Sequence, residues 1–296
     1  MQEIMLGHGA TALSGRFAPA SRRAPRALIF AIHGGSYTSH YFGFESLAGG
    51  TLFDLAPRLG YAVLAIDRPG YGTAADRPLP DFDSQARLLA AAIREAAARF
   101  GGGSAGTFLV GHSIGAMLAM LIAAHEDAGP LLGLDLSGAG VVYRAESLAG
   151  LRGYVGLADP PRPPNREARR ARMFGPPWTR SEAAVDEDFA TAPLSQPHEI
   201  REALGWGERM PSVAGRIALP VNFVVGELDA LWDSSPEAMA RIRAVFTAAP
   251  RAEVRMQPDA GHCNHLHHAG RACNLRTLAF FDECLIARER AAAARA

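Results

Sequence analysis

The chain has 296 residues, 48% of them hydrophobic and 31 glycines, enough for one large domain with a modest insertion. Its 30 basic and 30 acidic residues cancel, and the arginines are spread along the chain, which excludes the electrostatic footprint of a nucleic-acid binder. No apolar run approaches the roughly 18 residues that span a bilayer, and Met1-Gln2-Glu3-Ile4 opens no secretory leader; Cys263, Cys273 and Cys284 form no even disulfide framework, so a soluble cytoplasmic protein with reduced thiols is expected.

In chain order, residues 2–18 read as an initial antiparallel hairpin. Apolar runs bounded by glycine or proline then recur at 27–32, 62–66, 107–110, 131–136, 221–225 and 252–256, and runs of this kind suit a parallel sheet covered on both faces. Between them the pattern predicts helices over about 46–59, 83–100, 115–126 and 236–248, with a last one over about 270–290 and an alanine-rich tail that frays. Strands alternating with helices imply a doubly wound α/β sheet. One interval breaks the rhythm, because no sheet strand is evident between about Gly138 and Leu219. A structureless loop of that length is improbable in a compact domain, so the interval is expected to fold as a helical cap over residues 138–219, with 1–137 and 220–296 forming the core.

The chemistry centres on Gly111-His112-Ser113-Ile114-Gly115, which follows the apolar run Thr107-Phe108-Leu109-Val110 and opens a small-residue helix. A glycine-bracketed serine between strand and helix has the setting of a nucleophile elbow, although the same string can also be an ordinary turn. A serine hydroxyl attacks well only when a base takes its proton, so a histidine and an orienting carboxylate are required. His262, in Asp259-Ala260-Gly261-His262 beyond the last strand, is the expected base. Asp229, in Gly226-Glu227-Leu228-Asp229 just past the strand ending at Val225, is the expected acid, with Asp135 as alternative; Asp233 and Asp259 read as solvated loop carboxylates. Acyl transfer also needs donors aimed at the developing oxyanion. His33-Gly34-Gly35-Ser36 follows the first parallel strand, and the backbone amides of Gly35 and Ile114 are the expected donors, with Ser36 as a possible third and His33 bracing the loop.

These residues resemble the α/β-hydrolase fold. The pieces that carry the resemblance are His33-Gly34-Gly35, Asp67-Arg68-Pro69-Gly70-Tyr71-Gly72, Gly111-His112-Ser113-Ile114-Gly115, Gly226-Glu227-Leu228-Asp229 and Gly261-His262, which together span nearly the whole chain in the order nucleophile, acid, histidine. The resemblance implies an eight-stranded sheet, a Ser–Asp–His triad, and a cap inserted after the strand ending near Leu136. Serine at position 113 separates the chain from relatives of this fold that use an aspartate nucleophile to open epoxides or displace halides. What the resemblance implies is a cofactor-free hydrolase of an ester, lactone or thioester in a small molecule. An acyltransferase or cyclase built on the same triad, or a non-catalytic ligand-binding protein on the same scaffold, are the alternatives. His33-Gly34-Gly35 lacks the further glycine of the HGGG esterase motif.

Aromatic residues in loops and cap segments could line the pocket, and Tyr37, Phe42, Trp206 and Trp232 are the expected ones, Trp206 and Trp232 foremost. Arg162, Arg166, Arg169, Arg170 and Arg172 form a basic stretch that could recruit an anion or face solvent. The run His262-Cys263-Asn264-His265-Leu266-His267-His268 matches no familiar zinc spacing, so no metal is expected. A homodimer would be unsurprising.

Overall fold

A computed structural model describes residues 1–78, 80–155, 166–193 and 197–294. Strands β1 (Gln2–Leu6) and β2 (Leu13–Ala18) pair antiparallel, as the N-terminal pattern predicted. They join β3 (Leu28–Ile32), β4 (Ala62–Ile66), β5 (Thr107–His112), β6 (Leu131–Ser137), β7 (Val221–Gly226) and β8 (Ala252–Gln257) in one eight-stranded sheet ordered β1-β2-β4-β3-β5-β6-β7-β8. From β4 through β8 every neighbouring pair is parallel. Their carboxyl ends therefore share one edge, and open α/β sheets build their sites at that edge.

Helices cover both faces, which explains why the parallel strands are apolar throughout rather than alternating. Helices α1 (Leu52–Leu55), α2 (Phe82–Phe100) and α3 (Ile114–His125) follow β3, β4 and β5. The helix predicted over 46–59 is broken into a 3-10 turn at Glu45–Leu47, the short α1 and a second turn at Pro57–Leu59. Two local facts account for that: Gly49 sits at φ 87°, and Pro57 has no N–H to continue a helix.

The interval between β6 and β7 carries α4 (Ala145–Val155), α5 (Arg166–Met173), α6 (Glu182–Thr191), α7 (Pro197–Leu204) and α8 (Trp206–Ala214), and among the described residues it adds no strand to the sheet. Arg162 and its neighbouring prolines lie outside the described residues. Helix α8 packs on α3 and on α9 (Pro236–Val245), so it belongs to the layer over the sheet. Helix α10 (Gly270–Ala293) closes the fold on the other face. Strand β3 divides the two cores: Leu28, Phe30 and Ile32 face α2, α3 and α8, while Ile29 and Ala31 face α1 and α10. No described helix is long and apolar enough to cross a membrane.

Candidate active site

Ser113 occupies the turn between β5 and α3 with φ 54° and ψ −120°, a conformation that a residue with a side chain adopts only under local constraint. Its amide donates to the Ser137 carbonyl at 2.7 Å, and its own carbonyl accepts from Ala116 and Met117, so the strained residue is pinned on both sides. The turn is possible because α3 starts almost in contact with β3. A Cβ on Gly115 would stand 2.0 Å from the Ile32 carbonyl oxygen, which only glycine avoids.

From that position the Ser113 Oγ lies 3.0 Å from His262 Nε2. The imidazole's other nitrogen, Nδ1, lies 3.0 Å from Asp229 Oδ2 and 3.2 Å from Oδ1. Asp229 Oδ1 also accepts from the amides of Leu231 and Trp232, which hold the carboxylate in place. Both Asp229 and His262 are buried. The histidine loop is shaped from within: the Gly261 amide donates to His267 Nε2 at 2.9 Å, and His267 Nδ1 donates to the Cys263 carbonyl at 2.7 Å. His265 pairs with Asn274 Oδ1, and burial pushes it down to about 4. Burial pushes the Cys263 thiol up, so it stays protonated beside His262.

Asp135, the alternative acid, faces elsewhere. It sits within β6 rather than at its end, fully buried, and accepts from Asn222 Nδ2 on β7. Loss of water raises it to about 6, partly offset by that hydrogen bond and by the charge of Arg255.

The loop after β3 runs close against Ser113, where a Cβ on Gly34 would stand 2.9 Å from that of the serine. Gly35, Ser36 and Ile114 line the same cavity as Ser113 and His262. Ile114 opens α3, where the first amides have no acceptor inside the helix. The Ser36 amide, by contrast, points to the Tyr71 hydroxyl at 3.4 Å. His33 donates from Nδ1 to the Gly34 carbonyl at 2.8 Å and accepts at Nε2 from the Arg68 amide at 3.0 Å. Burial and the nearby Arg68 charge hold it well below the usual histidine range, so it braces the loop as a neutral ring.

Two residues of the insertion grip this loop: Glu199, which nothing in the sequence marks, and Arg169 of the basic stretch. Glu199 on α7 is fully buried and accepts from Arg68 Nη1 and, at 2.6 Å, from the Tyr71 hydroxyl. Arg68 Nη2 in turn donates to the Gly34 carbonyl at 3.1 Å. Arg169 on α5 forms a two-pronged pair with the buried Asp188, donates to the Ser36 carbonyl at 3.4 Å, and sits 5.0 Å from the centre of the Tyr37 ring. No local pattern marks Glu199, since α7 reads as an ordinary amphipathic helix; Arg169 was visible only as part of a basic stretch.

Of the aromatic residues expected at the pocket, Tyr37 and Trp232 line it, and Tyr143 stacks on Trp232 with ring centres 3.7 Å apart. Phe42 and Trp206 do not. Phe42 lies in the 3-10 turn Ser39–Gly43 and packs with Tyr41, Phe44 and Leu266 around a separate small cavity. Trp206 opens α8 and is driven into the core by the packing of that helix on α3.

Known proteins agree with this architecture. A monoglyceride lipase from Saccharomyces cerevisiae, solved as a soluble variant with a substrate analogue, superposes with a TM-score of 0.70 at 16% identity, covering 95% of this chain and 94% of that one. A monoacylglycerol lipase from Paleococcus ferrophilus gives 0.65 at 18% identity over 92% and 98%. A thermophilic esterase from Thermogutta terrifontis gives 0.60 at 18% identity over 96% and 99%. At these identities the likeness establishes the fold. No curated protein matches the sequence. A family model, however, matches residues 28–274, which include every piece of the site described above, and on that match the chain belongs to the alpha/beta hydrolase family.

Proposed function

We propose that the protein is a serine hydrolase that cleaves an acyl bond of a small molecule, an ester, lactone or thioester, through an acyl-enzyme on Ser113. The observation that carries this reading is the continuous run from Ser113 Oγ to His262 Nε2 at 3.0 Å and from His262 Nδ1 to Asp229 at 3.0 Å. In that order the imidazole can take the serine proton as Oγ attacks the carbonyl, while the carboxylate fixes the ring's tautomer and stabilises the imidazolium. The tetrahedral oxyanion would face the amides of Gly35 and Ile114, each donor contributing about 3 kcal/mol to the transition state. His262 then protonates the departing alcohol or thiol, and water, activated by the same imidazole, releases the acid. No step needs a cofactor.

The intact proton path supports catalysis over binding alone. Fluorophosphonate labelling of Ser113, together with turnover of p-nitrophenyl butyrate, tests the assignment. Ser113→Ala should abolish both while the far-UV circular dichroism is unchanged, and activity surviving that substitution would refute it. Product analysis with an added alcohol acceptor separates hydrolysis from acyl transfer.

A further inference from the structure

The arginines of helix α5 differ in what they face. Arg166 pairs with Glu182 and Asp186, Arg170 with Glu167, and Arg169 with the buried Asp188. Arg172 departs from this pattern. It lines the cavity that holds Ser113 and His262, and among the described residues no carboxylate forms an ion pair with it. Its charged neighbour is Arg169, three residues earlier on the same face of the helix. Burial, and then the like charge of Arg169, hold Arg172 below the ordinary arginine value, yet a guanidinium remains charged at neutral pH.

Among the described residues no counter-charge meets this partly buried cation, and an anion arriving with a ligand would offset the cost of burying it. Arg169 lines the same cavity, but its charge is already met by Asp188, whose two oxygens accept from its Nε and Nη2. The planar fork of arginine matches a carboxylate or phosphate with two parallel hydrogen bonds. Much of the remaining lining is apolar, with Met117, Leu151, Ile200 and Trp232 among it. A cavity of that kind suits a molecule with an apolar span and one charged end.

We propose that the substrate carries an anionic group, a carboxylate or a phosphate, set apart from its scissile carbonyl by an apolar span, and that Arg172 binds that group. The proposal rests on the reading of Ser113 as nucleophile and adds the class of substrate to it. Arg172 is then a specificity-determining residue.

Two measurements test this. The first compares kcat/KM for p-nitrophenyl butyrate with that for the mono-p-nitrophenyl ester of glutaric acid, which adds a terminal carboxylate. The native protein should favour the anionic ester. Arg172→Met, which keeps most of the apolar stem, should lower the anionic-to-neutral ratio by about ten-fold or more, mainly through KM, as expected for a charge-assisted hydrogen bond. Arg172→Glu should lower it further, and Arg170→Met should leave the ratio as it is. A ratio that Arg172→Met does not change overturns the proposal and leaves the serine hydrolase reading in place.

The second measurement needs no turnover. The Ser113→Ala protein is titrated by calorimetry with monomethyl glutarate and with methyl phosphate, with and without Arg172→Met. Binding of either anion that weakens about ten-fold with the second substitution supports the proposal and says which anion is preferred. Equal binding in both proteins, or none in the first, overturns it. Anion binding that depends on Arg172 in a protein whose native form turns over neither ester would instead refute the hydrolase reading.

Discussion

Glu199 reaches from helix α7 into the protein interior to meet Arg68, and both side chains are fully buried. Because Arg68 also holds the Gly34 carbonyl, the pair ties the helical insertion to the loop that flanks Ser113. Breaking a buried pair by removing one partner strands the other charge, at a cost of about 3–5 kcal/mol. Glu199→Ala should therefore lower the urea midpoint by a corresponding amount. Glu199→Gln keeps a hydrogen-bond acceptor and should cost less stability, while still reducing kcat more than it changes KM. Steady-state kinetics and urea titration check both outcomes.

The two candidate acids are separated by parallel substitutions. Asp229→Asn should reduce kcat on the order of 10³- to 10⁴-fold, because the amide favours the wrong imidazole tautomer. Asp135→Asn, whose side chain faces Asn222, should cost far less activity. A larger loss from Asp135→Asn on the butyrate ester would reverse the assignment.

Asp135 also has a signature in stability. Its carboxyl is raised from 3.8 to about 6 in the fold, so between those values the native state holds more protons than the unfolded chain. Its contribution therefore favours folding below about pH 4 and is lost as pH rises through about 6, by about 3 kcal/mol in total. The buried His265, lowered to about 4, acts in the opposite sense and gains stability over an overlapping window. The informative quantity is thus the difference between native protein and Asp135→Asn in urea titrations from pH 4 to pH 7. The native protein should lose stability relative to the variant as pH rises, and parallel curves would contradict the burial argument.

Gly115→Ala should be among the most damaging single-methyl changes in the chain. The added carbon would meet the Ile32 carbonyl oxygen at 2.0 Å, and neither β3 nor the start of α3 can move without displacing Ser113. A loss of about 3 kcal/mol or more, or failure to recover soluble protein, is expected. A melting temperature equal to that of the native protein would show that the helix start tolerates the shift.

Trp206 and Trp232 distinguish core from cavity. Trp206→Ala should destabilise by about 3–5 kcal/mol, measured by urea titration, through the void left between α8 and α3. Trp232→Ala should in addition alter the relative rates on acyl esters of increasing chain length, since Trp232 borders the cavity.

Much of this protein is legible in its sequence. The six parallel strands, the N-terminal hairpin and helices α2, α3, α9 and α10 all announce themselves through runs of apolar residues and their boundaries. So do Ser113, His262 and Asp229, because each follows a strand whose carboxyl end sits at the same sheet edge. Periodicity fails where two short signals compete, as at residues 46–59, and where an aromatic residue in a loop or in the insertion could face either way. Phe42 and Trp206 are of that second kind: nothing beside them in the chain says which neighbour will cover them.

The sequence by itself determined the sheet, the elbow at Ser113 and the order of the residues around it, because strands and sharp turns obey the sterics of near neighbours. Only the tertiary structure decided that Asp229 and not Asp135 meets His262, that Glu199 grips Arg68 from 131 positions away, and that Arg172 is left facing the cavity. Those outcomes depend on how the insertion settles over the sheet. Charges find partners, or go without, only once distant segments are packed together and water is gone.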